Sequence, residues 1–344
     1  MQPLHLLVSL VRGKGTKYLR KRDQKLLTAK YAKQAQRSQR KSLQRKFEVC
    51  VLLRDLCAAF ATFAVKIVFV FATSRTALFL LLISISTPLL AWGPEGHQIV
   101  ADIARSRLTE VTRRHIRELL GNDDLAAIST WADEIRPQRP ETAGWHFVDI
   151  PMSANGFSEQ RDCYRPDEKH PQTQADHHNC VVDRIEIFER ILADRNAPQA
   201  DHIEALKFLV HFVADLHQPM HAIGEARGGN DIHISEFGTP RCGNGPCNLH
   251  SAWDLGLIEH TRRSEPAYVS HLERLISRQS VEREADGTPE TWANESFHLA
   301  QRVWLNDGGA VDEGYFRNNI GSLDERLALA GLRLAALLNQ ALGK

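Results

Sequence analysis

The sequence predicts an all-α fold, a single mostly helical domain with at most a very small β element. Apolar residues recur at intervals of three and four within residues 99–108, 206–216 and 327–338, which is typical of helices. Alternating strand patterns are scarce, and Ile232-His-Ile234 is the best of them. The chain also has no internal repeat, so a solenoid is excluded.

Capping residues suggest where two of the helices begin. Asp201 followed by Glu204 predicts the start of a helix that runs to His217. Ser322 with Glu325 resembles a capping box and predicts the start of the last helix. Between the helical segments, residues 153–180 are rich in polar side chains and are expected to form a long loop.

The charge divides the chain into two parts. The net charge of +1 is the sum of +14 on residues 1–91, with 17 Lys and Arg against 3 Asp and Glu, and −13 on residues 92–344. We therefore expect a basic leader over residues 1–91 and an acidic domain over residues 92–344, which is long enough to bury a sizeable core. A hydrophobic content of 43% excludes a disordered chain.

The end of the leader resembles a secretory signal peptide. Arg75 precedes a short apolar core, which ends at the small residue Ala91. We expect cleavage after Ala91, which leaves Trp92 as the amino terminus of a secreted or periplasmic protein; an uncleaved membrane anchor is the alternative. Because a signal peptide that begins near Met1 is abnormally long, we hypothesise that the true start codon lies downstream of it.

Four cysteines fit an exported domain. Cys163, Cys180, Cys242 and Cys247 are an even set, and an oxidising compartment permits disulfides. Three pairings are possible, and we favour Cys163–Cys180 with Cys242–Cys247 because residues 243–246 can form the turn that closes the second loop. Metal binding by the second pair is the alternative, although a matching pair is missing.

The most informative segment is a helix that is apolar nearly all round yet carries His211 and Asp215 on one face. A buried carboxylate costs several kcal/mol unless it is paired or bound to a metal. For one such pair, a hydrogen-bonded His–Asp in a core is the simpler interpretation. The chain supplies further ligand types nearby, at His221, His250 and Asp254. Neutral imidazoles and carboxylates together favour zinc.

Six spaced motifs run through residues 92–344: Trp92-Gly-x-x-Gly-His97, Trp131-Ala-Asp133, His146-Phe-x-Asp149, His211-Phe-x-x-Asp215-x-His-Gln-Pro-x-His221, Arg227-Gly-Gly-Asn-Asp231 and Asn248-Leu-His-x-x-Trp-Asp254. In order and spacing they resemble those of the S1/P1 nuclease family, secreted zinc-dependent nucleases of fungi, plants and bacteria. The resemblance implies a helical fold shared with bacterial zinc phospholipases C and a cleft that holds three Zn²⁺ ions.

The resemblance also implies the metal ligands. The first zinc would be held by Asp133, His146, His211 and Asp215. The second would be held by His221, His250 and Asp254. The third would be held by His97, by Asp215 as a bridge, and by the α-amino nitrogen and carbonyl oxygen of Trp92. The α-amine of Trp92 is free only after the chain is cleaved between Ala91 and Trp92.

Catalytic and substrate roles follow from the same motifs. Asp149 would orient the attacking water or accept its proton, and Arg136 would stabilise phosphoryl charge, with a surface ion pair as the alternative for Arg136. Phe147 would stack on a base or serve as an ordinary core ring. Asn230 and Asp231 would line the base pocket or only form a turn.

These features together predict the activity. We expect a zinc-dependent phosphodiesterase that hydrolyses single-stranded RNA and DNA to 5′-phosphate products, with 3′-nucleotidase activity, as a monomer without a stable protein partner. The alternatives are a zinc phospholipase C of the same fold and a noncatalytic secreted zinc-binding protein. Because the acidic domain lacks the usual basic footprint of nucleic-acid binding, short flexible strands fit it better than duplex.

Overall fold

The computed structural model describes residues 92–163, 179–278, 281 and 285–343. The predicted leader and its cleavage point at Ala91 lie outside these residues, as does most of the predicted polar loop.

Helices dominate the described residues, which confirms the all-α prediction. The longer ones in this part of the chain are α1 (Pro94–Ser106), α2 (Glu110–Leu120), α6 (Val181–Ala193), α7 (Gln199–His217), α10 (Glu265–Arg278), α11 (Pro289–Val303) and α12 (Glu313–Leu342). The shorter ones are α3 (Leu125–Ile128), α4 (Trp131–Ile135), α5 (Glu159–Asp162), α8 (Leu249–Ser251) and α9 (Leu257–His260). Within the described ranges, no helix is both long and apolar enough to cross a membrane.

The β structure is as small as predicted. Strand β1 (Ile234–Glu236) pairs in parallel with β4 (Gly309–Val311), and β2 (Arg241–Cys242) pairs antiparallel with β3 (Gly245–Pro246). Short 3₁₀ segments, Pro140–His146 and Pro219–Ala222, and a π turn, Ala252–Gly256, complete the regular structure near the site described below.

Helix α7 lies at the centre of the fold. All ten of its residues from Phe208 to His217 are buried, because α6, α11 and α12 pack against it. The helix begins at Gln199, two residues before the predicted Asp201. Asp201 lies in the first turn, where a carboxylate is stabilised by the positive end of the helix dipole without acting as the cap.

The predicted start of the last helix at Ser322 is wrong. Helix α12 begins at Glu313, and the side chain of Asp312 caps it by accepting a hydrogen bond from the backbone N–H of Tyr315 at 2.8 Å. Residues 313–322 are exposed or only partly buried, and fully buried residues begin at Leu323. The apolar periodicity therefore marks where α12 enters the core and not where the helix starts.

Both disulfides join neighbouring cysteines, as the sequence favoured. The bonds are Cys163–Cys180 and Cys242–Cys247, so these sulfurs are not free to bind metal. The first bond lies beside Val181, whose backbone N–H donates to the carbonyl of Phe147 at 3.1 Å. The second closes the β2–β3 hairpin.

Candidate active site

Three groups of buried histidine and aspartate side chains lie at the centre of the fold. Within each group the possible ligand atoms lie within 4.8 Å of one another. The groups are His97–His211–Asp215, Asp133–His146–His211 and His221–His250–Asp254. The structure thus brings together all eight His and Asp side chains that the sequence predicted as ligands, from elements as distant in the chain as α1 and the π turn.

Asp215 lies between two of these groups. Its Oδ1 is 3.4 Å from Nε2 of His97, and its Oδ2 is 3.0 Å from Nδ1 of His146 and 3.2 Å from Nε2 of His211. The carboxylate is fully buried. Each oxygen therefore faces a different set of imidazoles, which is the arrangement that a bridging ligand requires.

Backbone carbonyls fix the orientation of three of the imidazoles. Nδ1 of His211 lies 2.7 Å from the carbonyl of Ser129, Nδ1 of His221 lies 2.7 Å from that of His146, and Nδ1 of His250 lies 2.8 Å from that of Gly228. A carbonyl can only accept, so each Nδ1 carries the proton. Each Nε2 is then the ring nitrogen left to bind a metal when the ring is neutral, as in many metal sites.

Several buried atoms of the cluster have no hydrogen-bond partner. They are Nδ1 and Nε2 of His97, Oδ2 of Asp133, Nε2 of His146, Oδ1 of Asp215 and Nε2 of His221. Each unsatisfied buried polar atom costs about 1–3 kcal/mol, so their concentration at one place calls for a compensating partner. Bound cations meet this need, and a set of imidazole nitrogens and carboxylate oxygens fits zinc.

Burial keeps most of the imidazoles neutral. It lowers the pKa values of His97, His146 and His221 well below the usual 6.5, and that of His250 to about 4. Burial acts on His211 in the same direction, but the carboxylates of Asp215 and Asp133 outweigh it and raise the pKa of His211 to about 9. Neutral imidazoles are the form that binds metal.

Trp92 is anchored beside two of the predicted ligands. Its buried indole N–H donates to the carbonyl of Ala214 at 2.8 Å, and the backbone N–H of Gly93 donates to the carbonyl of Asp254 at 2.8 Å. Ala214 directly precedes Asp215, so the start of the predicted mature chain is held against both ligand-bearing elements. At Gly96, a Cβ would lie 3.0 Å from Cβ of Trp92, so the turn of α1 that follows is also close.

A cleft of about 370 Å³ opens beside His146 and His250. Its lining includes four predicted catalytic and substrate residues, Arg136, Phe147, Asp149 and Asn230. Asp231 does not line it, since its exposed carboxylate pairs with Arg227 at 3.1 Å. The buried ligand cluster is therefore accessible from a surface on which an aromatic ring, a guanidinium and a carboxylate meet.

A comparison with known proteins fits this geometry. The sequence profile of the S1/P1 nuclease family matches residues 92–343. The chain belongs to the S1/P1 nuclease family. The described fold, the ligand cluster and the cleft all lie within the matched residues, and the resemblance drawn from the motifs is thus confirmed.

Individual S1/P1 nucleases are similar along most of the acidic domain. Endonuclease 3 of Arabidopsis thaliana is 32% identical over 282 residues, which cover 73% of this chain and 89% of that protein. Endonuclease 4 of Arabidopsis thaliana is 31% identical over 280 residues, with 73% and 89% covered. Nuclease P1 of Penicillium citrinum is 26% identical over 280 residues, with 72% and 97% covered. As an S1/P1 nuclease the chain is a hydrolase of nucleic acid, from a family that in general depends on zinc.

A left-handed loop links the cleft of this S1/P1 nuclease to His250. Residues Ala226, Arg227, Gly228 and Gly229 have φ values of 44°, 54°, 65° and 81°, a run that is costly for the two residues with side chains. A Cβ on Gly228 would lie 2.5 Å from the carbonyl of Met220. Glycine is thus required where the backbone approaches closely enough for its carbonyl to orient His250.

The motifs did not reveal the role of Gln218. This residue is fully buried at the end of α7; its side-chain Nε2 donates to Oδ1 of Asp254 at 2.5 Å, and its Oε1 accepts from the backbone N–H of Met220. The amide therefore links the turn that carries His221 to Asp254. One feature of the sequence could have indicated this role. Gln218 is a polar amide that lies between two candidate ligands, Asp215 and His221, in an apolar segment that is expected to be buried.

Proposed function

We propose that this S1/P1 nuclease is a zinc-dependent phosphodiesterase that cleaves single-stranded RNA and DNA to 5′-phosphate products and dephosphorylates 3′-nucleotides. The observation that carries the proposal is the set of unpartnered buried ligand atoms, from three adjoining His and Asp groups. They lie beside a cleft with the polar and aromatic groups that a nucleotide needs.

The chain offers ligands for three ions. Asp133, His146 and His211 would hold one ion with Asp215, and His221, His250 and Asp254 would hold another. His97 and the free amino end of Trp92 would complete a third with Asp215. When bound, zinc supplies Lewis-acid stabilisation of phosphoryl and leaving-group oxygens and lowers the pKa of water.

Asp149 is proposed to orient the attacking water and accept its proton. The neighbouring backbone is fixed on both sides, because the N–H of Val148 donates to the carbonyl of His221 at 2.8 Å and the carbonyl of Ile150 accepts from Gly224 at 3.0 Å. The carboxylate is thus held on a segment bonded to the ligand-bearing turn, which gives the fixed geometry that general-base catalysis needs.

Arg136 is proposed to stabilise the charge that builds on the phosphoryl oxygens. Its Nη1 lies 3.2 Å from Oδ1 of Asp133, and its side chain is 31% exposed on the cleft. The ion pair with Asp133, a candidate ligand, holds the guanidinium at the cleft. A guanidinium carries a full positive charge, which can stabilise phosphoryl oxygens.

Phe147 and Asn230 are proposed to bind the base. A half-buried aromatic ring can stack on any base, but only on one that is not already stacked in a duplex. Oδ1 of Asn230 is buried without a hydrogen-bond partner, while its Nδ2 donates to the carbonyl of Arg227 at 2.9 Å. This free acceptor suits an N–H on the base edge, and the pair supports single-stranded substrates.

Export is part of the proposal. We propose that cleavage after Ala91 releases a secreted or periplasmic domain with a free amine on Trp92. Two disulfides support an oxidising compartment, and the anchoring of Trp92 beside Ala214 and Asp254 supports a role for its amino end.

The deciding experiment measures hydrolysis of denatured DNA, RNA, 3′-nucleotides and phosphatidylcholine, each with and without a chelator. We expect chelator-sensitive release of 5′-phosphate products and no lipid turnover. The Asp149→Asn variant should lose at least 100-fold in kcat, while Glu110→Gln, at an exposed site on α2, should match the wild type. Chelator-insensitive cleavage, or lipid turnover without nucleotide release, would overturn the proposal.

A further inference from the structure

A buried polar network surrounds the end of α7, and none of its residues lines the cleft. It consists of His217 from α7, Glu295 and Ser296 from α11, and Arg326 and Arg333 from α12, and we call it the α7-end network. His217, Ser296, Arg326 and Arg333 are all buried, with Arg333 only 1% exposed. No group in it belongs to the predicted metal ligands, so its presence near them needs its own explanation.

One carboxylate serves both guanidiniums. Oε2 of Glu295 accepts from Nη1 of Arg326 and from Nη1 of Arg333, each at 2.6 Å, and Oε1 accepts from Nη2 of Arg333 at 2.8 Å. The two arginines are seven residues apart on α12, which places them on one face two turns apart. Two guanidiniums that share one carboxylate need further acceptors, because a buried donor left without one is costly.

The end of α7 supplies some of these acceptors. Nε of Arg326 donates to the carbonyl of His217 at 3.3 Å, and Oγ of Ser296 donates to the carbonyl of Leu216 at 2.5 Å. Terminal carbonyls of a helix carry partial negative charge and need donors, and Pro219 has no N–H to offer. Helices α11 and α12 thus cap α7 from outside.

His217 connects Arg333 to the preceding turn. Nη1 of Arg333 lies 2.9 Å from Nε2 of His217, and Nδ1 of His217 lies 2.7 Å from the carbonyl of Val213. A guanidinium only donates, so Nε2 accepts and Nδ1 carries the proton that binds Val213. The ring is fixed as one neutral tautomer that bridges α12 to the backbone of α7.

We infer that Arg333, acting through His217 and Glu295, is a positioning residue for the metal centre. The network binds the carbonyls of residues 213, 216 and 217, which lie on both sides of Asp215 in the chain, and the turn that follows carries His221. The inference rests on the proposed function, because it assumes that Asp215 and His221 hold zinc. Loss of the Arg333 guanidinium removes the donor that fixes His217 and two of the three bonds that hold Glu295 beside Arg326, which loosens the end of α7 and with it the alignment of both ligands.

The test compares zinc affinity, measured by competition with a chelating indicator, in wild type, Arg333→Met and Arg333→Lys. We expect a 10–100-fold loss of affinity in Arg333→Met, a smaller loss in Arg333→Lys, which keeps one donor, and a lower kcat with KM changed less than twofold. The matched control is Arg107→Met, which removes a guanidinium, directly after the end of α1, that binds Glu273 through two 2.7 Å contacts. The control should lower Tm and leave zinc affinity unchanged.

Wild-type zinc affinity in folded Arg333→Met, with a drop in Tm like that of Arg107→Met, would overturn the inference. Circular dichroism establishes which variants fold; where Arg333→Met does not fold, the same criterion applies to Arg333→Lys. A wild-type protein that binds zinc without cleaving nucleic acid contradicts the proposed function alone, since the affinity comparison does not depend on turnover.

Discussion

The side chain of Gln218 donates to Oδ1 of Asp254 at 2.5 Å, and Oδ2 of the same carboxylate lies 3.3 Å from Nε2 of His250. Oδ1 of Asp254 therefore holds the carboxylate in place through Gln218, and Oδ2 faces the neighbouring candidate ligand His250. Because Gln218 also accepts from the backbone N–H of Met220, a single amide joins two of the three ligands in the His221–His250–Asp254 group.

The Gln218→Leu substitution is expected to weaken this group. It leaves Oδ1 of Asp254 and the N–H of Met220 without partners, so zinc content should fall by about one ion per chain and kcat/KM by about 10–100-fold. Metal analysis and steady-state kinetics measure both. Gln301→Leu, which removes a 2.9 Å bond to the carbonyl of Met152, serves as control and should keep full zinc. Equal zinc content in the two variants would contradict the assigned role.

The Asp215→Asn substitution is expected to disable two zinc sites together. An amide cannot present two anionic oxygens, one to His97 and the other to His146 and His211. The control is Asp324→Asn, which alters another buried carboxylate, one that accepts from Tyr268 and lies 2.7 Å from His271. We expect the control to lose stability only. Full zinc content in Asp215→Asn would rule out the bridge.

Cleavage after Ala91 is expected to create a metal ligand, the α-amine of Trp92. A protein that keeps residues before Trp92, or whose Trp92 amine is acetylated, should bind one zinc fewer than the mature chain, because the α-amine is lost as a donor. Intact mass and zinc counting on the secreted protein measure both. A mature chain that begins before residue 80 would contradict the cleavage prediction, and a full zinc complement in the extended chain would contradict the ligand.

The sequence was most informative where function depends on residue type and local spacing. His211 and Asp215 are four residues apart on a helix without a polar face, so their shared orientation and burial follow from helical geometry. The eight His and Asp side chains of the cluster were all named from the motifs, because each motif carries its own candidate ligand type. The clustering of these motifs at one centre came from the family resemblance and not from periodicity.

The supporting contacts were not predictable, because they join distant parts of the chain. Arg333 and His217 are 116 residues apart, and no local pattern relates them. Helix α12 shows the same limit, since its first turns are only partly buried and the signal of its start is the Asp312 cap and not the later apolar run. Gln218 lies within a motif, but its partner Asp254 is 36 residues away. Local patterns and the family resemblance therefore gave the candidate ligands, whereas the groups that orient them required the fold.

Removal of the first disulfide is expected to lower stability without loss of metal. The two cysteines are separated by 17 positions in the sequence. In the chain-entropy model, the Cys163→Ser/Cys180→Ser double variant should lower the free energy of unfolding by about 3 kcal/mol. The shorter loop of Cys242 and Cys247 should be worth about 2 kcal/mol. Urea unfolding measures the difference, and zinc content should be unchanged in both. A larger loss from the shorter loop would contradict the entropic account.

The metal-free protein is expected to lose stability between about pH 6.5 and pH 4. Burial lowers the pKa of His250 to about 4 and those of His97, His146, His217 and His221 well below 6.5. In this range the unfolded chain binds protons on these imidazoles and the folded chain does not, so acid favours unfolding. His250 alone contributes roughly 3 kcal/mol across that interval.

Two buried carboxylates act in the opposite direction over the same interval. Burial raises the pKa of Asp215 to about 6 and that of Asp254 well above its usual value, so the folded chain takes up protons there before the unfolded chain does. His211, with a pKa of about 9, stabilises the fold fully below pH 6.5 and loses this effect as the pH rises through 9. Among the His and Asp groups of the candidate metal centre and the α7-end network, five imidazoles with lowered pKa oppose two carboxylates with raised pKa, so we expect acid to destabilise the metal-free protein. Urea titrations of chelator-treated protein at pH 7 and pH 5 measure the free energy of unfolding. An equal or greater free energy of unfolding at pH 5 would contradict this prediction.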